Sequence, residues 1–416
     1  ELYNLGFVKN IVDLYSLGDK KKQIMEFDGY GEKSLNKKKI IGFMITAVII
    51  VLAITFSVVY ACNKTFRNWA DIHILMKSIS EGSLSSIDID VDEDVSVYAY
   101  DRYIAVLKDN KLNIYNSSGK STASLDINIS TPVFTANGKY LAVAEKGKQK
   151  IYLISGTKTK WSNDIEGTIS KVSVNENGYV SVICSGTTYK SVIIVFDQNG
   201  NQLIKSYIPS NSVIDSAVSS DNKYLSFAEI DTSGTLIKST VKTIAVNDSN
   251  NSSEITPIYT YEMDTNLLIT NLRYHGSKNL ICMCNAGIYL LSDGNTQMLM
   301  NFEEENKNYT FAGIDLINNI YEIEEVSDGI ANQSSQIKII NTGTKKVNNY
   351  SINSIAKSTS SAGDNIAINL GTDIYFINTK GWLKKKYSAN EEIRNIIVSD
   401  RIAAIVFRDK IEILVL

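Results

Sequence analysis

Two hydrophobic patterns divide this chain. The first is an unbroken apolar stretch, Ile40–Ala61, which reads IIGFMITAVIIVLAITFSVVYA and carries no charge. As an α-helix it would be roughly 33 Å long, enough to cross a bilayer core of about 30 Å. A core helix of a soluble protein normally keeps a polar face, which this stretch lacks. The pattern therefore predicts one membrane-spanning helix, and its position after residues 1–39 predicts that it is retained rather than cleaved.

The charges on either side of this stretch predict its orientation. Seven Lys and Arg residues lie in the 20 positions before it, and three lie in the 20 positions after it. By the positive-inside rule, residues 1–39 are expected in the cytoplasm and everything after Cys62 outside the cytoplasmic membrane. Within residues 1–39, the weakly amphipathic piece Leu5–Leu17 would need a membrane surface or a cytoplasmic partner to be stable. Residues 62–83 are expected to form a juxtamembrane helix or stalk, with Trp69 at the headgroup level.

The second pattern begins near Leu84 and continues to the end of the chain at Leu416. Short runs rich in Val, Ile, Tyr and Thr alternate with polar residues and are separated by Asn, Asp, Gly and Ser turns, which is typical of β-strands. One strand recurs eight times at fairly even spacing, each time followed by another strand. The copies read DRYIAV, ANGKYLAV, NENGYVSV, SSDNKYLSF, SKNLICMC, NNIYEI, GDNIAINL and DRIAAIVF.

These repeats predict an all-β propeller over residues 84–416, because a three- or four-stranded unit cannot cover both of its faces alone. Eight copies predict eight blades, or seven if one copy is degenerate. The last copy ends the chain at KIEILVL, a third strand, so its blade lacks a fourth. The unused strand-like segment Leu84–Val91 is predicted to pair with Lys410–Leu416 and close the ring, because an open edge would leave backbone groups unpaired. A fourth strand there would begin on the short-turn face, which predicts that the stalk and the membrane lie on that side.

The repeat segments ANGKYLAV and SSDNKYLSF resemble the S-P-D-G-K-x-L-A-F repeat of TolB-type and WD40-like propellers. This chain departs from that repeat by lacking its Pro throughout and its Gly in some copies. The whole layout is similar to single-pass membrane proteins of clostridia and other Firmicutes that carry an extracytoplasmic propeller. The abundance of Asn, Lys, Ile and Ser, with only 3 Pro, is typical of bacteria with AT-rich genomes. The resemblance implies a fold but no particular activity, since propellers support many functions.

Composition and motifs argue against several chemistries. The net charge of −3 lacks the basic excess of a nucleic-acid-binding protein. The four Cys residues do not form a disulfide framework, and Cys282 and Cys284 are expected to be small buried side chains on one strand face rather than a metal pair. His275, in YHGSKN, is expected in a surface turn, and the DQNGN segment at 197–201 in a hairpin turn rather than a calcium loop. No enzyme, metal or cofactor is predicted, and with two Trp in the propeller a quinone is not expected.

Loop length points to the face where a partner could bind. Long links are predicted at Asp231–Ser239, Asn301–Asn308 and Glu324–Gln336, and these loop types emerge on one face of a propeller. An acidic rim with aromatic neighbours would suit a basic or polar partner, although a solvated loop cluster explains the same residues. The predicted partner-binding residues are Glu303, Glu304, Glu305, Tyr309, Phe311, Glu324, Glu325 and Asp328.

Two functions fit this sequence. The first is a membrane-anchored interaction or scaffold module that binds another envelope protein or a wall polymer. The second is a glycan-active or small-ligand-sensing propeller, whose enzymatic form would need clustered carboxylates at the central channel. Two carboxylates facing each other there would favour the enzyme, and an apolar or Ser/Thr-lined channel would favour the scaffold.

Overall fold

The computed structural model describes residues 37–63, 66–67, 70–71, 74–75, 77–89, 95–186, 188–246, 256–327 and 333–416. Residues 1–36, including the piece Leu5–Leu17, lie outside this range. The chain divides into two compact units, which meet between Arg67 and Asn68 in sequence.

In the described part of the first unit there is one long helix, α1, which spans Lys37–Cys62. Residues Ile41–Cys62 form a stretch of mean hydropathy 2.6 with no part buried inside the protein, so the helix is long and apolar enough to cross a membrane. Its hydroxyl groups are satisfied within the helix itself, since Thr46, Thr55 and Ser57 each donate to the carbonyl four residues earlier at 2.8–2.9 Å. The predicted helix at Ile40–Ala61 is therefore present, and its exposed hydroxyl groups have hydrogen-bond partners within the helix.

The stalk between α1 and the propeller differs from the prediction. Residues 66, 67, 70 and 71 are helical, but Lys77 and Ser78 are not, and Ile79–Ser80 form a short strand, β1. The predicted helix therefore ends before Lys77, and the propeller unit includes residues that precede Leu84. The reason is that Ile79 packs against the apolar cluster between the last two blades. Trp69 and His73 lie outside the described residues.

The second unit is an eight-bladed β-propeller, which confirms the predicted fold and excludes the seven-bladed alternative. Each blade is an antiparallel meander of four strands, numbered here from the innermost strand outward. Blades 1 to 4 consist of β3 Ser96–Tyr100, β4 Tyr103–Lys108, β5 Lys111–Tyr115, β6 Ser121–Asp126; β7 Pro132–Asn137, β8 Tyr140–Glu145, β9 Lys150–Ser155, β10 Lys158–Asp164; β11 Thr168–Val174, β12 Val180–Ser185, β13 Ser191–Phe196, β14 Gln202–Ile208; and β15 Ser212–Val218, β16 Tyr224–Asp231, β17 Lys238–Ala245, β18 Tyr259–Glu262.

Blades 5 to 8 continue the same order, with two strands added from the N-terminal side. They consist of β19 Ile269–His275, β20 Asn279–Cys284, β21 Gly287–Ser292, β22 Asn295–Asn301; β23 Asn308–Leu316, β24 Asn319–Ser327, β25 Gln333–Asn341, β26 Val347–Ile352; β27 Ser358–Ala362, β28 Asn365–Asn369, β29 Asp373–Asn378, β30 Leu383–Ser388 with β1; and β31 Asn395–Val398, β32 Ile402–Val406, β33 Lys410–Val415 with β2 Ser85–Asp88.

The second strand of each blade carries the repeat that the sequence shows, and its burial explains the pattern. All six residues of β8 and all five of β28 are buried, because neighbouring blades cover both faces of these strands. The turns follow the predicted chemistry. In DQNGN the Asp197 carboxylate accepts from the backbone N–H groups of Asn199 at 2.7 Å and Asn201 at 2.9 Å, so this segment is a hairpin turn.

Ring closure also occurs as predicted. Strand β2 pairs antiparallel with β33, with Ser85 opposite Ile413 and Asp88 opposite Lys410. Strand β1, which the sequence did not predict, runs parallel to β30 and pairs Ile79 with Tyr387. Both strands run from the face of the short turns towards the face of the long loops, as outermost strands do in every blade.

One buried carboxylate ties the closing segments together. Glu412 is 1% exposed and accepts from the Gly82 N–H at 2.7 Å and from the Tyr387 hydroxyl at 2.9 Å. Outside it, Glu81 accepts from the Asn390 N–H at 2.8 Å and pairs with Lys410. The N-terminal segment, blade 7 and blade 8 are thus joined by charge-assisted hydrogen bonds.

Candidate interaction surface

Blade 6 places most of the predicted partner-binding residues together. Its first three strands are nine residues long, whereas most strands are shorter, so the β24–β25 hairpin extends the blade on the long-loop face. Tyr309 pairs across the sheet with Glu324, and Asn308 with Glu325, which brings the 301–308 link beside this hairpin. Asp328 lies outside the described residues.

A lysine that the prediction overlooked reduces the acidity of this rim. Lys307 Nζ lies 2.7 Å from the Glu304 carboxylate and 4.0 Å from that of Glu324, and 5.7 Å from the centre of the Tyr309 ring. The Glu304–Lys307 hydrogen bond lowers the pKa of Glu304 and raises that of Lys307. Both groups are exposed, so the pair contributes little to stability. The acidic character of the rim therefore rests mainly on the exposed side chains Glu303 and Glu305.

Phe311 does not flank the rim as predicted. It is half-buried and packs against the apolar cluster that includes Leu316 and Ile323. The aromatic neighbour of Tyr309 is instead Phe302, whose ring centre lies 5.7 Å from that of Tyr309. The reason for the difference is a bulge between Tyr309 and Phe311, which breaks the simple alternation of β23.

Three exposed apolar side chains lie beside the rim on the same face, and the sequence reasoning did not select them. Leu236 and Ile237 are 48% and 40% exposed in the β16–β17 loop, and Leu268 is 39% exposed before β19. The Asn266 N–H donates to the Ile237 carbonyl at 3.1 Å, which holds the two loops together. The sequence feature that could have identified them is the pair of adjacent apolar residues, Leu236 and Ile237, in the long loop after Gly234.

Backbone hydrogen bonds connect these apolar residues to the acidic rim. The Asn285 N–H donates to the Leu268 carbonyl at 3.0 Å, and the Phe302 N–H donates to the Ala286 carbonyl at 2.9 Å. The short turn at Asn285 and Ala286 therefore connects the apolar residues to the acidic rim. We refer to the combined surface, formed by Leu236, Ile237, Leu268, Glu303 and Glu305, as the long-loop patch.

A cleft of about 580 Å³ lies elsewhere on the long-loop face, between blades 2 and 3. Two tyrosine rings, Tyr189 and Tyr207, form one wall with their centres 4.6 Å apart. Beside them Lys205 Nζ lies 2.6 Å from the Glu166 carboxylate. Aromatic faces next to hydrogen-bonding groups can hold a small organic ligand.

The central channel is lined by ion pairs, an outcome that matches neither of the two predicted alternatives. Two connected cavities of about 180 and 230 Å³ lie along it and share Arg273 and Asp315. Arg273 lies 3.0 Å from Asp315, and Lys171 lies 3.0 Å from Asp215, so these two carboxylates each face a cation from a neighbouring blade. Asp400 also lines the second cavity and has no ion pair with a described residue. Burial raises the pKa of Asp215 although Lys171 opposes this effect. These pairs connect successive blades around the axis.

His275 is buried, and the prediction that it lies in a surface turn is wrong. It is the last residue of β19 and 4% exposed, with Nε2 at 2.9 Å from the Ile314 carbonyl and Nδ1 at 3.1 Å from the Thr342 hydroxyl. Burial lowers its pKa to about 4, so the ring is neutral near pH 7. The histidine thus fastens blade 5 to blade 6.

The remaining candidate residues behave as structural groups. Cys282 and Cys284 are both buried on one face of β20, with their sulfur atoms 3.8 Å apart, as the sequence predicted. Among the described residues, no group of three or more His, Cys, Asp or Glu side chains is arranged to hold a metal ion.

Comparisons with known proteins support the fold. Residues 80–416 match a family described as "Family of unknown function (DUF5711)". No curated protein matches the sequence. Among solved structures, the C-terminal WD40 domain of Sif2 is similar at 10% identity and a TM-score of 0.51, with 80% of this chain and 99% of that chain covered. BamB from Moraxella catarrhalis is similar at 12% identity and a TM-score of 0.44, with coverage of 80% and 99%. At 10% identity, the similarity to the Sif2 domain indicates a shared propeller fold and nothing further.

Proposed function

The chain belongs to DUF5711, and we propose that it is a membrane-anchored bacterial propeller whose long-loop patch binds another envelope protein or a wall polymer. In this proposal the apolar stretch Ile40–Ala61 of α1 crosses the cytoplasmic membrane, residues 1–39 remain in the cytoplasm and the propeller lies outside. The cytoplasmic segment is then free to meet a partner inside the cell. The proposal is of a binding protein rather than an enzyme, and the pairing of Asp215 with Lys171 and of Asp315 with Arg273 in the channel supports it.

The observation that carries the proposal is the composition of the long-loop patch. It combines exposed Leu236, Ile237 and Leu268 with the exposed carboxylates of Glu303 and Glu305 on one face. Protein interfaces commonly have an apolar centre and a polar rim, and adjacent exposed apolar side chains mark such sites. The partner should therefore offer an apolar surface bordered by Lys or Arg.

Charge reversal at the rim tests this surface. We expect Glu303→Lys with Glu305→Lys to lower partner capture about tenfold, or about 1.4 kcal/mol, because like charges would then oppose each other across the interface. The melting temperature should stay nearly unchanged, since both side chains are exposed. The measurement is a crosslinked pull-down from native membranes with quantitative mass spectrometry. Glu176→Lys, an exposed acid on the opposite face, serves as the control, and equal capture by all three proteins would refute the proposal.

A labelling experiment tests the orientation independently. The chain first receives Cys62→Ser, because Cys62 is exposed whereas Cys184, Cys282 and Cys284 are buried. A cysteine placed at the exposed residue Ser118 should then react with a membrane-impermeant reagent on intact cells, and one placed at Ser34 should react only after lysis. The reverse pattern would show that the propeller is cytoplasmic.

A second candidate function is sensing of a glycan or other small ligand. The cleft lined by Tyr189, Tyr207, Lys205 and Glu166 favours it, because sugar rings stack on aromatic faces and bond to charged neighbours. This site lies in blades 2 and 3, whereas the long-loop patch lies in blades 4 to 6. The two functions are therefore separable by substitution.

A further inference from the structure

The short-turn face, opposite the long-loop patch, exposes apolar side chains in three consecutive blades. Val347 begins the outermost strand of blade 6 and is 46% exposed. Trp382 directly precedes β30 in blade 7 and is 63% exposed, and Val415 ends β33 in blade 8 and is 52% exposed. Because every blade is an antiparallel meander, these strand ends all lie on the same face.

Hydrogen bonds between blades connect the segments that carry these residues. The Asn348 side-chain amide donates to the Thr379 carbonyl at 2.9 Å, which connects the edge of blade 6 to the turn that carries Trp382. The Lys385 ammonium donates to the Val415 carbonyl, which connects blade 7 to the end of blade 8. The three segments that carry Val347, Trp382 and Val415 therefore adjoin one another on the short-turn face.

This surface is basic. Lys346 and Lys380 are exposed, and neither is ion-paired with a described residue. Lys380 Nζ lies 5.7 Å from the centre of the Trp382 ring, so the ammonium group and the indole are neighbours on this face. Lys384, behind them, is 3.5 Å from Asp364. We call Lys346, Val347, Lys380, Trp382 and Val415 the lysine–tryptophan patch.

The chain from α1 joins the propeller in the same sector. Strand β1 pairs with β30, the strand that Trp382 precedes, and Leu84 packs in the same cluster as Leu416. Only residues 63–78 separate α1 from β1, and 16 residues span at most roughly 55 Å when fully extended. A bilayer that held α1 would therefore be within reach of this patch.

We propose that the lysine–tryptophan patch docks on the surface of an anionic phospholipid bilayer. Tryptophan prefers the headgroup region, where its ring is partly dry and its N–H is hydrated. Lysines near a surface of anionic lipid each favour association by roughly fivefold. Docking would point the long-loop patch away from the membrane. The proposal rests on the membrane anchor of the proposed function, but not on the partner.

Lipid-dependent quenching tests the proposal on the full chain. The chain carries three Trp residues, and Trp69→Phe leaves the buried Trp161 and the exposed Trp382 as emitters. The protein is reconstituted into vesicles of phosphatidylcholine with brominated acyl chains and a minor fraction of anionic phosphatidylglycerol. Trp382 emission is taken as the difference from a matched Trp382→Phe protein. We expect at least a twofold loss of this emission relative to vesicles without bromine.

Charge variants identify the cause of any quenching. Lys346→Glu with Lys380→Glu should restore the Trp382 emission, as should vesicles of pure phosphatidylcholine. Lys223→Glu with Lys278→Glu, exposed lysines on the same face in blades 4 and 5, should leave the quenching unchanged. Trp382 emission that is unquenched in protein that floats with the vesicles overturns docking alone. In that case, if the protein self-associates and Trp382→Phe abolishes the self-association, the lysine–tryptophan patch binds a second copy of the chain. Protein that does not float with the vesicles overturns both docking and the anchor.

Discussion

A propeller that begins at Asp92 should melt about 4–9 °C below one that begins at Lys77. The shorter chain lacks β1 and β2, so the Ile87 side chain is removed from the core, at a cost of about 1.5–3 kcal/mol. It also leaves the buried Glu412 carboxylate without the Gly82 N–H, which costs at least another 1–3 kcal/mol. For a chain of 340 residues the entropy of unfolding is roughly 0.7 kcal/mol/K, which converts these losses into the expected shift.

Differential scanning calorimetry measures this shift, and an intermediate chain separates the two strands. A chain that begins at Gly82 keeps β2 but loses β1, and it should melt close to the longer chain. The chain that lacks both strands should also self-associate, because β33 becomes an unpaired edge. Melting within 1 °C of the longer chain would contradict closure by β2.

Acidification should destabilise the propeller through His275, by about 2–3 kcal/mol between pH 7.5 and pH 4.5. Its pKa is about 4 in the folded state, below the ordinary value of 6.5 for an unfolded chain. Between these values the unfolded state binds a proton that the folded state does not, so the free energy of unfolding falls as the pH falls. Burial is the main cause, Arg273 acts in the same direction, and the hydrogen bond to Ile314 and the charge of Asp315 oppose them.

The chain that begins at Lys77 isolates this titration, because His275 is then its single histidine. Urea unfolding of this chain and of its His275→Gln variant at both pH values gives the contribution of His275 to the pH dependence of the free energy of unfolding. Carboxylates contribute equally to both proteins, so the difference between them is the relevant quantity. If the difference in free energy of unfolding between the two proteins is the same at pH 7.5 and pH 4.5, His275 titrates normally in the folded protein.

The eight blades and their turns could be predicted because each depends on residues that are close in sequence. Alternating side chains and turn residues such as those at 197–201 determine a hairpin without reference to the rest of the chain. Ring closure was also predictable, since an unpaired third strand at the C-terminus requires a partner. Strand β1 was not, because two residues, Ile79 and Ser80, carry no periodicity.

The surfaces depended on contacts that no local pattern contains. Lys307 was overlooked because its effect on Glu304 and Glu324 arises only when a loop folds beside a hairpin. His275 was misplaced because the groups that cover it, the Ile314 carbonyl and the Thr342 hydroxyl, belong to the next blade and lie 39 and 67 residues further along the chain. Leu236 and Ile237 looked like ordinary loop residues until the neighbouring blade placed Leu268 beside them.

The pairing of β2 with β33 also affects how the protein is made. Ser85 is synthesised 325 residues before Lys410, so β2 has no partner for roughly 15–65 s at ordinary rates of translation. The earlier blades can assemble on their neighbours as they emerge, but the last blade forms only after β33 has left the ribosome. An interrupted chain would display a solitary N-terminal strand and an unfinished blade to proteases. The position of one strand thus makes closure of the ring depend on translation having continued through β33.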